Sequence, residues 1–138
     1  MEKKFDVLIV GAGPAGTAAA TCLGNSDLSV GLLDKATFPR DKICGDALSV
    51  DVVNQLKILS PDLWQCFFDL ECKTRSSGVQ IHAPDGGYVD IPFIHKGESS
   101  SGYVCRRIDF DYLLLQHCAI YQNVTIVQNC ELNFLEES

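Results

Sequence analysis

The sequence predicts an α/β fold built on a parallel sheet, and three features of its first 34 residues indicate this. An apolar run over 5–10 leads into a glycine-rich turn, and an alanine-rich segment over 14–23 follows with the character of a helix. A second apolar run covers 29–33 and ends at an aspartate. Because a helix joins the two apolar runs, the strands that they form should lie parallel in a Rossmann-type sheet.

The turn after the first strand has the spacing G-x-G-x-x-G, in which Gly11, Gly13 and Gly16 have different tasks. Gly11 allows the sharp turn, Gly13 leaves the backbone open to a pyrophosphate, and Gly16 lets the helix lie close to the strand. Pro14 suits the first helical turn, where its missing N–H costs nothing. The free N–H groups of this turn, which also contains Ala15, would face an anion.

Asp34 lies at the end of the second strand, 18 residues after Gly16. A carboxylate near this spacing accepts hydrogen bonds from ribose hydroxyls and repels a 2′-phosphate. The sequence therefore predicts a site for a dinucleotide whose ribose carries free hydroxyls. The alternative is a βαβ unit with a glycine turn and no ligand.

The composition describes a globular, acidic chain, with 46% hydrophobic and 21% charged residues and a net charge of −7. This charge argues against nucleic acid or an anionic membrane surface as the main partner. No apolar run approaches the ~20 residues that span a bilayer, and no secretory signal is evident. The seven cysteines are odd in number and form no C-x-x-C, so we expect free thiols, a cytoplasmic location and no metal site.

The rest of the chain is predicted to contain further helices and strands. Strands on either side of Asp85-Gly86 form an antiparallel hairpin over 78–93, which is inserted into the Rossmann-type pattern. The other predicted elements are a loop over 35–49, a helix with an apolar face from Leu48 to Leu59, a short helix after Ser60-Pro61, polar connections over 71–77 and 95–102, a brief strand over 103–105, a helix from Asp109 to about 120, and a strand over 124–135.

Only two further strands, 29–33 and 124–130, are available to join the first strand, and in the usual order they lie on one side of it. The first strand is apolar at successive positions, so both of its faces should be buried. Its other side would present an unpaired edge, through which we expect the chain to self-associate.

Three blocks of the sequence occur in an order and spacing typical of one family. They are Gly11–Gly16, the segment Phe38–Asp46 with the pattern P-R-x-K-x-C-G, and the segment Tyr103–Asp111 with the pattern R-x-x-F-D. Together they resemble the geranylgeranyl reductase family of FAD-dependent oxidoreductases, which are flavoproteins shaped like p-hydroxybenzoate hydroxylase. The second block is the most specific, since the first alone fits many unrelated enzymes.

The resemblance implies non-covalent FAD binding at Gly11, Gly13, Pro14, Ala15, Gly16, Asp34, Lys35, Arg40, Cys44, Gly45 and Arg107. It implies that the glycine loop holds the pyrophosphate, that the aspartate binds the adenosine ribose, and that the lysine lies near the adenine. Arg40, Cys44 and Gly45 would lie near the flavin, and Arg107 would contact the cofactor. The alternatives are that Arg40 is an ordinary surface arginine and that Cys44 is a small buried cysteine.

The two adjacent arginines, Arg106 and Arg107, are followed closely by two aspartates. We expect one of the arginines to pair with Asp109 or Asp111 on the surface, and the motif favours Arg107 for the ligand. No general base or nucleophile is indicated, so no catalytic residue is nominated.

The resemblance implies that residues 1–138 are part of the FAD-binding domain of a flavin-dependent oxidoreductase. The family's later G-A-D-G and G-D blocks and its substrate domain are not found in this sequence, so we expect the chain alone to be inactive. The complete enzyme would act on an isoprenoid or other apolar substrate, with NAD(P)H as a candidate electron donor. The alternatives are an FAD-dependent monooxygenase or halogenase and, in another class, a non-catalytic nucleotide-binding fragment.

Overall fold

The computed structural model describes residues 3–133, whose contacts group them into two compact units. One unit combines the residues up to Ile43 with those from Arg107 onward, and the other covers Cys44–Arg106. In chain order the elements are β1 (Val7–Val10), α1 (Pro14–Leu23), β2 (Val30–Leu33), β3 (Ala47–Leu48), α2 (Val50–Leu59), α3 (Pro61–Asp69), β4 (Lys73–Ser76), β5 (Gly78–His82), β6 (Tyr88–Pro92), β7 (Ile94–His95), β8 (Glu98–Ser99), β9 (Gly102–Cys105), α4 (Arg107–Cys118) and β10 (Val124–Val127).

The first unit is built on a parallel sheet of three strands in the order β1–β2–β10. Val30 of β2 lies between Val7 and Val124, and the same register continues to the ends of the strands. Helix α1 connects β1 to β2 and has the bounds that the sequence predicts. The predicted Rossmann-type arrangement, with the two later strands on one side of the first, is therefore confirmed.

The core of the first unit lies on one face of this sheet. Alternate residues of the three strands point to that face, where Ala20 of α1 and Cys118 of α4 are fully buried against Val30. On the other face, Leu8 and Val10 are 44% and 53% exposed. The prediction that both faces of the first strand are buried is wrong for the described residues, because the core that they form covers a single face.

Two boundaries in the first unit differ from the prediction. Helix α4 begins at Arg107, so Asp109 lies within its first turn and is not its N-cap. Strand β10 ends at Val127, and the predicted end of this strand at residue 135 lies outside the described residues. Two residues after the end of this strand, Asn129 adopts a left-handed conformation with φ 55°. The next residue, Cys130, donates its backbone N–H to the carbonyl of Asp34.

The second unit contains an antiparallel sheet in the order β3–β9–β4 and the helices α2 and α3. Its largest fully buried side chain is Phe67, whose ring packs against that of Tyr103 in a T-shaped arrangement with a centroid distance of 5.4 Å. Leu48 lies in β3 and precedes α2, which begins after the N-cap Ser49. Strand β4 occupies most of the predicted polar connection 71–77, because its backbone pairs with β9 although its side chains are polar.

Two hairpins complete the second unit. The predicted hairpin over 78–93 is confirmed as β5 and β6, with Val79 opposite Ile91 and Ile81 opposite Val89. These four apolar side chains are all exposed. The predicted connection 95–102 contains part of a second, very short hairpin formed by β7 and β8. Within residues 3–133, none of the helices is long and apolar enough to cross a membrane.

Candidate functional site

A cavity of about 710 Å³ opens in the first unit, where the glycine turn follows β1 and Asp34 follows β2. In open parallel sheets, ligands bind outside the carboxyl ends of the strands. The lining residues come from the glycine turn, from the loop after β2, from the start of α4 and from the segment after β10: Val10, Gly11, Gly13, Pro14, Ala15, Gly16, Asp34, Lys35, Ala36, Arg40, Asp41, Lys42, Arg107, Cys130, Glu131 and Leu132.

The glycine turn depends on glycine at two positions for reasons internal to the protein. Gly11 has φ +102°, a left-handed conformation that side chains disfavour. A Cβ atom at Gly16 would overlap the carbonyl oxygen of Gly11, so only glycine allows the helix to lie this close to the turn. The backbone N–H of Gly11 donates to the carbonyl of Leu33 at 2.7 Å, which ties the turn to the end of β2.

Gly13 differs, because the folded chain itself leaves room for a side chain there. It is the extended N-cap of α1, and a Cβ atom added to it would lie 3.5 Å from Nη2 of Arg40, an ordinary contact distance. The protein therefore does not require glycine at this position, whereas an anion approaching the backbone would. This space fits the pyrophosphate that the sequence motif predicts.

The N-terminus of α1 is equipped for a negatively charged group. Within the described structure it has no side-chain cap, and its first turn contains no acidic residue. The first backbone hydrogen bond of the helix runs from Thr17 to Gly13, so the preceding N–H groups of Ala15 and Gly16 lie at the open helix end. The helix dipole adds a partial positive charge at this end.

Asp34 is buried and holds the glycine turn as well as lining the cavity. Its Oδ2 atom accepts the backbone N–H of Ala12 at 2.8 Å, and its Oδ1 atom accepts that of Ala36 at the same distance. Each carboxylate oxygen has a second lone pair, so these bonds leave acceptor capacity for a ribose hydroxyl. The bond to Ala12 is a structural role that sequence reasoning missed, although ribose binding stays a prediction.

Two arginines meet beside the glycine turn on one carboxylate. Arg107 forms a bidentate pair with Asp111, from Nε to Oδ1 at 2.7 Å and from Nη2 to Oδ2 at 2.8 Å. Arg40 donates from Nη1 to Oδ2 of Asp111 at 3.2 Å, and its Nη2 atom lies 4.0 Å from Oδ2 of Asp34. Arg40 also stacks over the ring of Phe38, with 4.7 Å between the guanidinium carbon and the ring centroid.

Asp111 is the residue whose place the sequence analysis did not predict. Arg107 does pair with Asp111, one of the two expected aspartates, but the expected surface location of this pair is wrong, since the structure buries Asp111 completely. Its spacing of four residues from Arg107 on a helix was a usable signal, because side chains at i and i+4 lie on one face. The reach of Arg40 to the same carboxylate has no such local signal.

The charge around the cavity contrasts with that of the whole chain. Four basic residues line it against three acidic ones, namely Lys35, Arg40, Lys42 and Arg107 against Asp34, Asp41 and Glu131. The complete sequence has a net charge of −7. Lys35 is exposed and lies 3.8 Å from Glu131, a distance at which a surface pair contributes little. The basic residues of the lining are balanced by its three acidic ones and by Asp111 behind the arginines, so the cavity lacks the excess of negative charge of the whole chain and can accept a phosphate-bearing ligand.

Most of the predicted cofactor-binding residues are brought together at this cavity. They are Gly11, Gly13, Pro14, Ala15, Gly16, Asp34, Lys35, Arg40 and Arg107. Cys44 and Gly45 belong to the second unit and are exposed, so the alternative of a small buried cysteine at position 44 is wrong. Their place near the flavin stays a prediction.

The parallel sheet, the glycine turn and the cavity at the strand ends define a Rossmann-type nucleotide-binding fold. The chain is 39% identical over 93 residues to a menaquinone reductase from Mycolicibacterium smegmatis, a match that covers 67% of this chain and 21% of that protein. It is 32% identical over 120 residues to a digeranylgeranylglycerophospholipid reductase from Methanosarcina mazei, covering 86% of this chain and 27% of that protein. The predicted resemblance to the geranylgeranyl reductase family is thereby confirmed.

The chain spans about a fifth to a quarter of the length of these curated relatives. A solved structure of the halogenase PltM in complex with phloroglucinol and FAD matches with a TM-score of 0.77 at 23% identity, covering 99% of this chain and 30% of that one. A likeness at this level of identity shows a shared fold. No protein-family model matches the chain.

Proposed function

We propose that the first unit binds FAD and supplies part of the FAD-binding domain of a flavin-dependent oxidoreductase. The observation that carries the proposal is the cavity at the strand ends, where an open helix N-terminus lies beside Gly13 and two arginines line the same space. The resemblance to the geranylgeranyl reductase family makes FAD the dinucleotide of choice.

In this proposal each group at the cavity has a task set by its chemistry. The pyrophosphate lies against Gly13 and the N–H groups of Ala15 and Gly16, with the guanidinium groups of Arg40 and Arg107 facing it. Asp34 accepts the adenosine ribose hydroxyls. The family resemblance implies that Lys35 lies near the adenine and that Cys44 and Gly45 of the P-R-x-K-x-C-G block lie near the flavin. FAD supplies the hydride chemistry when bound, and this chain's residues bind and orient it.

The proposal for the substrate of the complete enzyme rests on the names of the relatives, and the proposal for its electron donor rests on the family resemblance of the sequence. One relative is named for a lipid with geranylgeranyl groups, so we propose an isoprenoid or other apolar substrate, with NAD(P)H as a candidate donor. A monooxygenase or halogenase remains the alternative within the enzyme class, and a non-catalytic nucleotide-binding fragment remains the alternative outside it. The fold shared with the halogenase does not favour either enzyme reading.

Isothermal titration calorimetry of the purified chain with FAD, ADP and NADP tests the proposal. Gly13→Val places a side chain in the proposed pyrophosphate space, and the extended backbone at Gly13 accepts valine without strain. We expect FAD and ADP affinity to fall by about tenfold or more, since the added methyl groups exclude the ligand.

Ala19→Val on the exposed side of α1 is the matched control, and it should retain wild-type affinity. FAD binding that is unchanged in Gly13→Val would refute the assignment of this site. Two results together would favour a non-catalytic nucleotide-binding fragment. The chain would bind ADP as tightly as FAD, and the purified chain would show no flavin absorbance band.

A further inference from the structure

Asp111 is a buried carboxylate on the first turns of α4, and it contacts arginines from two separate segments of the first unit. Arg107 precedes it on the same helix, whereas Arg40 lies on the loop after β2, 71 residues away in sequence. Its two oxygens accept three charge-assisted hydrogen bonds of 2.7, 2.8 and 3.2 Å. Burial of a carboxylate is costly unless it is paired in this way.

Asp111 fixes the two arginines but lies away from the cavity that they line. The Asp111 side chain has no exposed surface and does not line the cavity, so it is out of reach of a ligand. The side chains of Arg40 and Arg107 are 18% and 14% exposed and do line the cavity. A guanidinium group that is fixed by a planar pair loses little further freedom when it meets a phosphate.

We propose that Asp111 is a positioning residue of the dinucleotide site, because it fixes both guanidinium groups at the edge where the glycine turn receives the pyrophosphate. This inference rests on the proposed function. The negative charge of Asp111 also reduces the repulsion between the two guanidinium groups, which would otherwise oppose their joint approach to one phosphate. The carboxylate therefore acts on the ligand through the arginines and makes no contact with it.

The direction in which the affinity for an anion changes when Asp111 is replaced distinguishes a positioning role from a purely electrostatic one. Replacement of Asp111 by asparagine removes a negative charge next to the cavity, and long-range electrostatics alone would then strengthen the binding of an anion. Loss of the fixed guanidinium geometry has the opposite effect. Asp41→Asn is the charge-matched control, since Asp41 is exposed at the rim of the same cavity and its carboxylate accepts the N–H of the adjacent Lys42.

The experiment compares ADP with adenosine by calorimetry on the whole chain, because the two ligands differ only in the phosphates. Asp111→Asn should weaken ADP binding by about tenfold, the scale of one or two charge-assisted hydrogen bonds, and leave adenosine binding within about twofold. Asp41→Asn should bind ADP at least as tightly as the wild type. A merely structural role for Asp111 would lower the affinity for both ligands together.

The outcomes separate this inference from the function on which it rests. A wild-type chain that binds neither ADP nor FAD overturns the proposed function and, with it, the inference. Asp111→Asn binding ADP as tightly as the wild type, or more tightly, overturns the inference and leaves the proposed function in place. If circular dichroism shows that Asp111→Asn does not fold, Arg40→Lys decides the matter.

Arg40→Lys keeps the positive charge on a loop residue but cannot reach both Asp111 and Asp34 with a planar fork. The inference expects weaker ADP binding and unchanged adenosine binding in this variant. Equal affinity for ADP in Arg40→Lys and the wild type would overturn it.

Discussion

Asp34 is the residue at which the sequence motif and the structure assign two different roles. The motif predicts a carboxylate that reads ribose hydroxyls. The structure shows the same carboxylate accepting backbone N–H groups from Ala12 in the glycine turn and from Ala36 in the next loop. The carboxylate lines the cavity while it accepts these N–H groups, so the residue proposed to select the ribose also holds the turn in shape.

Asp34→Asn should therefore affect both stability and ligand selectivity. The amide nitrogen must face one of two backbone N–H donors, so one hydrogen bond is lost and a donor is left unpaired. We expect the free energy of unfolding to fall by about 1–3 kcal/mol and ADP binding to become weaker by about the same amount. Urea unfolding and calorimetry measure the two quantities.

The control for Asp34→Asn is Asp27→Asn, because Asp27 is exposed and does not line the cavity. It should change neither quantity. Tighter binding of NADP than of ADP by the wild-type chain would contradict the assignment of Asp34 to a free ribose.

Other residues show which kinds of information a single sequence carries. The need for glycine at Gly11 and Gly16 was predicted because the motif encodes local backbone geometry. Gly24 directly follows the predicted end of α1 and is its C-cap, but its φ of −60° is helical, so no left-handed turn requires a glycine there. A side chain there would overlap the ring of Tyr121, about a hundred residues later. Such a contact depends on tertiary packing, and no local pattern reveals it.

Helices and strands show the same difference between features set by the local sequence and features set by tertiary contacts. The bounds of α1 and the hairpin of β5 and β6 were predicted because a proline, glycines and alternating apolar residues mark them locally. Strand β4 was predicted as a connection, since its sequence Lys-Thr-Arg-Ser carries no apolar pattern. It forms because β9 offers a pairing edge, and β9 lies almost thirty residues further along the chain.

The packing of α1 against α4 contains a buried thiol with a pH-dependent consequence. Cys118 of α4 lies against Thr17 and Thr21 of α1, and its Sγ atom lies 3.2 Å from the carbonyl oxygen of Thr17. Burial raises the pKa of the Cys118 thiol above its ordinary value of 9.0, because the thiolate would lose hydration. The folded chain therefore keeps this proton at a pH where the unfolded chain releases it.

The contribution of Cys118 to stability should be complete below about pH 9 and should decline as the pH rises above that value. Urea unfolding of the wild type and of Cys118→Ala at several pH values between about 7 and 10.5 measures it. The difference in unfolding free energy between the two should shrink at the alkaline end. Cys22→Ala, at an exposed cysteine of α1, is the control and should follow the wild type throughout. A difference that is constant with pH would contradict the raised pKa.

At the scale of the whole chain, the parallel sheet ends on both sides in a strand edge without a partner among the residues described, at β1 and at β10. Strand β1 pairs with β2 and with no other described strand, whereas β2 is paired on both sides. The strand order was predictable from the right-handed β–α–β connection and the count of strands. The exposure of Leu8 and Val10 was not, because an apolar strand was expected to be covered on both faces.

We expect the open edge of β1, the strand that also exposes Leu8 and Val10, to make the isolated chain self-associate. An open edge exposes a row of backbone donors and acceptors, and Leu8 adds apolar surface beside it, so a second chain would satisfy both. Light scattering on the purified chain over a range of concentrations measures the effect. Leu8→Lys should shift the population toward the monomer, since a charge on an edge strand opposes pairing.

Leu28→Lys is the matched control for Leu8→Lys. Leu28 has nearly the same exposure as Leu8, 40% against 44%, but lies in the turn before β2 and not on the open strand. If general surface hydrophobicity caused association, the two lysine variants would reduce it equally; if the edge causes it, only Leu8→Lys will. A wild-type chain that stays a monodisperse monomer, retains stoichiometric FAD and reduces a substrate would refute the expectation, because such a chain would need neither a partner for the edge nor further residues around the cofactor.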